Sequence, residues 1–205
     1  MTTKQKTITI IGVIILVVVL VIVYFVLILP AKPEEKPGPI KSTAEVKAPP
    51  MPETLEEAVK ILNTPQVLKA FLNKYFTIEE RPGLIAYTPE EFFEKRKGAS
   101  YDFAVFTAYV LRQNLFEVGV VRFNYRVNDE KRTHTVAVFR DVDLPKYLTV
   151  TDRGVEIFHH GWSFEDLIKA EEQRLNVKVY EYAFFPADVN DLTEPLKDYP
   201  WQEVK

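Results

Sequence analysis

The chain contains no cysteine. That excludes a thiolate nucleophile, a disulfide, lipidation on Cys and a Cys-ligated zinc or iron–sulfur centre. What remains is hydroxyl, imidazole and carboxylate chemistry. Ser100 is the hydroxyl of interest because it stands where an apolar helix begins, and a helix N-terminus offers free N–H groups and the positive end of a dipole. The same position also suits a serine that only caps the helix, with Asp102 two residues on complementing the positive end. Three histidines are present. His134 lies in a strand, where an imidazole by itself reads as structural. His159 and His160 are adjacent, so in a strand they point to opposite faces and cannot share a metal. Asp152, followed by Arg153 and Gly154, has the composition of a turn. Tyr87 and Tyr101 are candidates to line a cleft beside Ser100 or to fill the core, and Trp162 and Trp201 read as packing residues. There is no phosphate loop, dinucleotide fingerprint or metalloprotease motif, and no cofactor or metal is expected.

The elements that must position these residues are legible from residue 54 onward. Thr54 with Glu57 is a capping box that opens a helix carrying Leu55, Ala58, Val59 and Leu62. Thr64-Pro65 puts a cap and an N1 proline before Leu68, Phe71, Leu72 and Tyr75. Thr88-Pro89 repeats the device with Glu91 completing the box, and Gly98 is the expected left-handed residue at that helix's end. The next helix, residues 99–114, is apolar nearly all round and must be central. The period then changes to two. Strands are expected over 118–127, 132–140, 147–151 and 155–158, with a turn at 128–130. Ser163 and Asp166 form a variant capping box for a helix to about Arg174, and 177–184 closes as a strand. Helices followed by a mostly antiparallel sheet define an α+β domain.

At the start of the central helix, Lys97-Gly98-Ala99-Ser100-Tyr101-Asp102-Phe103-Ala104 resembles the core motif of the transglutaminase-like superfamily, papain-like in fold. The family pattern is Gly-x-Cys-x-Asp-Phe-Ala, followed by a His in a strand and an Asp at the next one. The resemblance implies that Ser100 occupies the nucleophile position, His134 in Thr133-His134-Thr135-Val136 the base position, and Asp152 after Leu148-Thr149-Val150-Thr151 the orienting position. It covers residues 55–158. The departure is Ser for Cys. A helix dipole and an imidazolium that would ionise a thiol leave a serine hydroxyl protonated. The resemblance therefore implies a catalytically degenerate domain, acting as a peptide-binding or envelope-binding scaffold. The alternative is an amide or ester hydrolase or acyl transferase using Ser100, His134 and Asp152.

Residues 8–29 contain no charged side chain. At about 1.5 Å per residue they reach about 33 Å, enough to cross a bilayer core of about 30 Å. Residues 1–29 are expected to be an uncleaved, single-pass signal-anchor, because the run is too long for a signal peptide and lacks a small-residue cleavage site. Lys4 and Lys6 favour a cytoplasmic N-terminus and an extracytoplasmic C-terminal domain. Residues 30–53 hold seven of the fourteen prolines and read as a disordered, extended stalk. Residues 54–205 form the globular domain. The net charge of −3 falls unevenly: two lysines precede the apolar run, and residues 31–53 balance four lysines against four glutamates. The domain is left acidic, and its one basic run, Lys95-Arg96-Lys97, reads as a solvated helix end, so nucleic acid is not an expected partner. The expected partners are the membrane and a protein or peptide.

Overall fold

The computed structural model describes residues 46–141, 144–186 and 201–204. The apolar run 8–29 and most of the proline-rich stretch lie outside these. No helix among the described residues is long and apolar enough to cross a membrane.

Four helices come first: α1 (Leu55–Ile61), α2 (Pro65–Tyr75), α3 (Pro89–Lys95) and α4 (Ser100–Gln113). Each of the first three starts as its sequence dictates. The hydroxyls of Thr54, Thr64 and Thr88 accept from the amides of Glu57, Val67 and Glu91, and Glu91 returns a carboxylate to the Thr88 amide. α3 stops earlier than expected. Its left-handed residue is Arg96 (φ 55°), not Gly98. Lys97 and Gly98 instead form β2, a two-residue strand parallel to β1 (Thr77–Ile78).

A six-stranded antiparallel sheet follows, in the order β6-β5-β4-β3-β7-β8. Its strands are β3 (Val118–Val127), β4 (Glu130–Asp141), β5 (Leu144–Thr151), β6 (Gly154–His159), β7 (Val179–Pro186) and the short β8 (Gln202–Glu203). The β3–β4 hairpin turns on Asn128 and Asp129, both at positive φ (49° and 66°), the two-residue turn whose twist suits antiparallel strands. Helix α5 (Phe164–Leu175) is inserted between β6 and β7 and opens with the Ser163–Asp166 capping box.

Helices cover both faces of the sheet. On one, Phe71, Phe76, Phe92, Phe103 and Phe106 pack with Phe139, Leu148, Val155 and Ile157, while Ala104, Val105 and Ala108 meet Val120, Ala137, Ala183 and Phe185. Each buried Phe contributes about 2 to 3 kcal/mol by leaving water. On the other face, Leu167, Ile168 and Ala170 of α5 pack on Val121, Phe123, Val136, Tyr147, Phe158 and Val179. Residues 46–53, expected to be free stalk, are partly docked: Tyr75 Oη donates to the Pro49 carbonyl at 3.1 Å and Met51 packs on the helical core. Trp162, expected to pack, is 66% exposed, whereas Trp201 packs beside the α4 cluster.

Candidate functional site at the start of α4

Ser100 is half-buried in the first turn of α4, but it is not the cap. Ala99 occupies the extended N-cap position, and the capping is done from inside the helix by Asp102, whose Oδ2 accepts from the Ala99 amide at 2.7 Å. Asp102 is wholly buried. Its Oδ1 accepts from the Tyr87 amide at 2.8 Å and from Arg81 Nη1 at 2.6 Å. A buried carboxylate needs such a set of donors, because unpaired it would cost several kcal/mol.

These bonds fasten the chain between β1 and α3 over the helix start. The Arg81 guanidinium carbon lies 3.5 Å from the centre of the Tyr87 ring, and Tyr101 Oη donates to the Arg81 carbonyl at 3.3 Å. Tyr87 and Tyr101, the two cleft candidates, thus grip Arg81. A second guanidinium holds the same segment from the sheet. Arg122, fully buried on β3, donates through Nη2 to the Leu84 carbonyl at 2.8 Å and through Nε to Thr135 Oγ1 at 3.3 Å. It lies 6.0 Å from the centre of the Tyr101 ring. The residue that β4 turns toward the start of α4 is therefore Thr135.

His134 is next to Thr135 on the strand and so points to the opposite face. Its Nε2 is 2.6 Å from Thr149 Oγ1, 3.1 Å from Arg174 Nη2 and 3.6 Å from Glu171 Oε2. Thr149 is on β5, and Glu171 and Arg174 are on α5. Because the Arg174 guanidinium can only donate, Nε2 is the accepting, unprotonated nitrogen. Burial pushes the His134 pKa down to about 4; the Glu171 carboxylate opposes this and the Arg174 charge adds to it. Contrary to the expectation from the family pattern, Ser100, His134 and Asp152 do not meet in one site. The sheet lies between Ser100 and His134, and Asp152 is exposed in the turn joining β5 to β6, where Thr151 pairs with Gly154. Asp152 is the turn former that its neighbours Arg153 and Gly154 suggest.

His159 and His160 also part company. His160 packs edge-on against Tyr147, ring centres 5.9 Å apart, and burial lowers its pKa to about 4. No group of three or more His, Cys, Asp or Glu among the described residues could hold a metal ion. Lys95, Arg96 and Lys97 are exposed, with Lys97 Nζ 3.0 Å from Glu79.

Sequence reasoning did not single out Arg122 or the Glu171–Arg174 pair, although each had left a signal. Arg122 is a lone cation within Val120-Val121-Arg122-Phe123, a run otherwise fit for a core. Glu171 and Arg174 follow Leu167 and Ile168 at spacings of three, four and more along the helix, which places both on the buried stripe of α5.

Among curated proteins none matches the chain. Among solved structures it is similar to LapG of Legionella pneumophila, at 16% identity over 65% of this chain and 71% of that one, with a TM-score of 0.38. The EGTA-treated form of the same protein aligns at 15% identity over 62% and 67%, again with a TM-score of 0.38. The family model described as Transglutaminase-like domain matches residues 52–180. That span covers α1 through the first residues of β7, with the Gly98–Ala104 motif at its heart, and the chain belongs to the transglutaminase-like family.

Proposed function

We propose that this chain is a membrane-tethered transglutaminase-like domain that no longer performs catalysis and serves outside the cytoplasm as a binding or scaffold module for a peptide or envelope partner. The observation that supports this reading is the surroundings of Ser100. A serine hydroxyl becomes a nucleophile only when a base within hydrogen-bond reach takes its proton. The imidazole that the family pattern assigns to that task, His134, is bonded on the other face of the sheet to Thr149 and Arg174. Near the start of α4 stand Arg122, Thr135 and Arg81, which are cations and a hydroxyl, and the carboxylate there, Asp102, is engaged on both oxygens by the Ala99 and Tyr87 amides and Arg81. Membrane tethering is supported by the uncharged run 8–29, and the exported orientation by Lys4 and Lys6 before it.

A fluorophosphonate probe tests the central claim, since it labels serines activated by a general base. The full-length protein at pH 7 to 8 is expected to stay unlabelled at Ser100, with peptide mass spectrometry as the readout. Labelling at Ser100 that disappears in Ser100→Ala overturns the non-catalytic reading and makes the chain a serine-dependent acyl-transfer enzyme.

A further inference from the structure

The cluster around His134 is a polar island in an apolar layer. Glu171, Tyr147 and Thr149 are all but wholly buried, and His134 is 8% exposed. Around them are Val136 and Phe158 of the sheet and Leu167 and Ile168 of α5. The arrangement has one oxygen in demand. Glu171 Oε2 accepts from Arg174 Nη2 at 2.6 Å and stands 3.6 Å from His134 Nε2, while Arg174 Nε donates to Glu171 Oε1 at 2.7 Å. While His134 is neutral, Arg174 bridges the carboxylate and the imidazole and ties the last turn of α5 to β4 and β5.

A proton on Nε2 would turn that acceptor into a donor. The Arg174 N–H at 3.1 Å would then face an N–H, two cations would adjoin in a low-dielectric layer, and both would need Glu171. Among the described residues, Glu171 is the carboxylate that acts on His134 itself, while Glu80 acts on Tyr125. α5 offers Glu171 and Arg174, β5 offers Thr149 and the Tyr147 hydroxyl, β3 offers Tyr125, and β4 itself carries Arg132 toward Tyr125. Burial and the Glu171 charge both hold Tyr147 protonated, so it adds no negative charge.

We propose that His134, Arg174 and Glu171 form an acid-sensitive clasp on the end of α5: protonation of His134 sets it against Arg174 for the one carboxylate and frees the last turn of the helix from the sheet. The inference does not depend on the chain's being non-catalytic. The sign follows from linkage. The closed clasp holds His134 at a pKa of about 4, and an opened clasp returns it toward the ordinary value of about 6.5. Neutral His134 therefore favours the closed form above pH about 6.5, and that preference is lost as pH falls through the interval toward 4. Between pH 7 and pH 5 the opening constant should rise about 20-fold.

Amide hydrogen exchange on the full-length chain reads this directly. After correction for the intrinsic pH dependence of exchange, peptides from residues 169–176 are expected to open about 20 times more at pH 5 than at pH 7, with residues 103–111 of α4 unchanged. His134→Gln keeps an acceptor but cannot titrate, and should abolish the increment. If that variant does not fold, the natural protein still decides the matter, because the His134 ring protons followed by NMR must titrate over the same interval as the opening of α5. A rise shared equally by α4, an increment that survives His134→Gln, or a His134 that titrates near 6.5 without any change in α5 overturns the clasp.

Discussion

Replacing Asp102 by asparagine alters one atom at the point where α4, β2 and the segment before α3 are joined. Asp102 Oδ1 receives Arg81 Nη1 and the Tyr87 amide, and Oδ2 receives the Ala99 amide, at 2.6, 2.8 and 2.7 Å. An asparagine can keep its oxygen where two donors converge, but its NH2 must then face the Ala99 N–H. That leaves a buried donor unpaired, at about 1 to 3 kcal/mol. The Arg81 guanidinium, 19% exposed, meanwhile loses its counter-charge. Removing one partner of a buried ion pair costs about 3 to 5 kcal/mol, and the partial exposure of Arg81 puts the expected loss at the low end, about 3 kcal/mol. With a urea m-value of about 1.5 kcal/mol/M, the unfolding midpoint of Asp102→Asn should fall by about 2 M. A double-mutant cycle then isolates the pair: Arg81→Met should cost at least about 1 kcal/mol less in the Asp102→Asn background than alone. A loss under about 1 kcal/mol with no coupling would mean that Asp102 does not hold the helix start, and its role as the anchor of the Gly98–Ala104 motif would fall.

Gly98→Ala tests the same junction from the other side. The added methyl would stand 2.5 Å from Asp102 Oδ2, and an overpacking cost of about 1 to 3 kcal/mol should lower the melting temperature by about 5 °C in a thermal scan, whereas an unchanged value would show that the carboxylate can give way. Ser100→Cys stands in the first turn of α4, where the helix N-terminus favours a thiolate, so it should alkylate with iodoacetamide at pH 6 to 7 faster than a free thiol of the same accessibility. His134→Ala should leave that rate unchanged, because the imidazole lies across the sheet. A rate that falls with His134→Ala would place the two on one face after all. Protease added to intact cells that express the full-length chain should remove residues 54–205; complete protection until lysis would reverse the proposed topology.

The helical half of the domain is legible in the sequence because its signals are local. A threonine before a proline, with a glutamate three residues from the threonine, places a helix start without knowledge of anything distant, and Thr88, Pro89 and Glu91 do so in full. The hairpin over 118–140 is equally legible, since Asn128-Asp129 and the alternation on either side need only each other. Gly98 misleads because a glycine three residues past a helix looks like its terminator. Its need for glycine comes instead from the Asp102 carboxylate folding back over it. Trp162 cannot be placed from composition at all, because nothing local says which side of residues 160–163 faces water.

The assignment of His134 to the site fails for a reason lodged in strand geometry. In β4 the even positions His134, Val136 and Val138 and the odd positions Thr135, Ala137 and Phe139 alternate between two faces, and both faces are covered, one by α4 and one by α5. A half-solvated strand would have shown its buried side by polarity, but a strand clad on both sides does not, and a slip of one residue moves every side chain across the sheet. The family motif survives this failure because most of it describes a helix start. Asp102 caps Ala99 and anchors Arg81, Gly98 makes room for that carboxylate, and Phe103 and Ala104 enter the two cores on either side of α4. Position 100 is the one place in Gly98-Ala99-Ser100-Tyr101-Asp102-Phe103-Ala104 whose side chain neither the cap nor the core requires. A nucleophile can therefore be lost there while the scaffold, and the sequence pattern that marks it, stay intact.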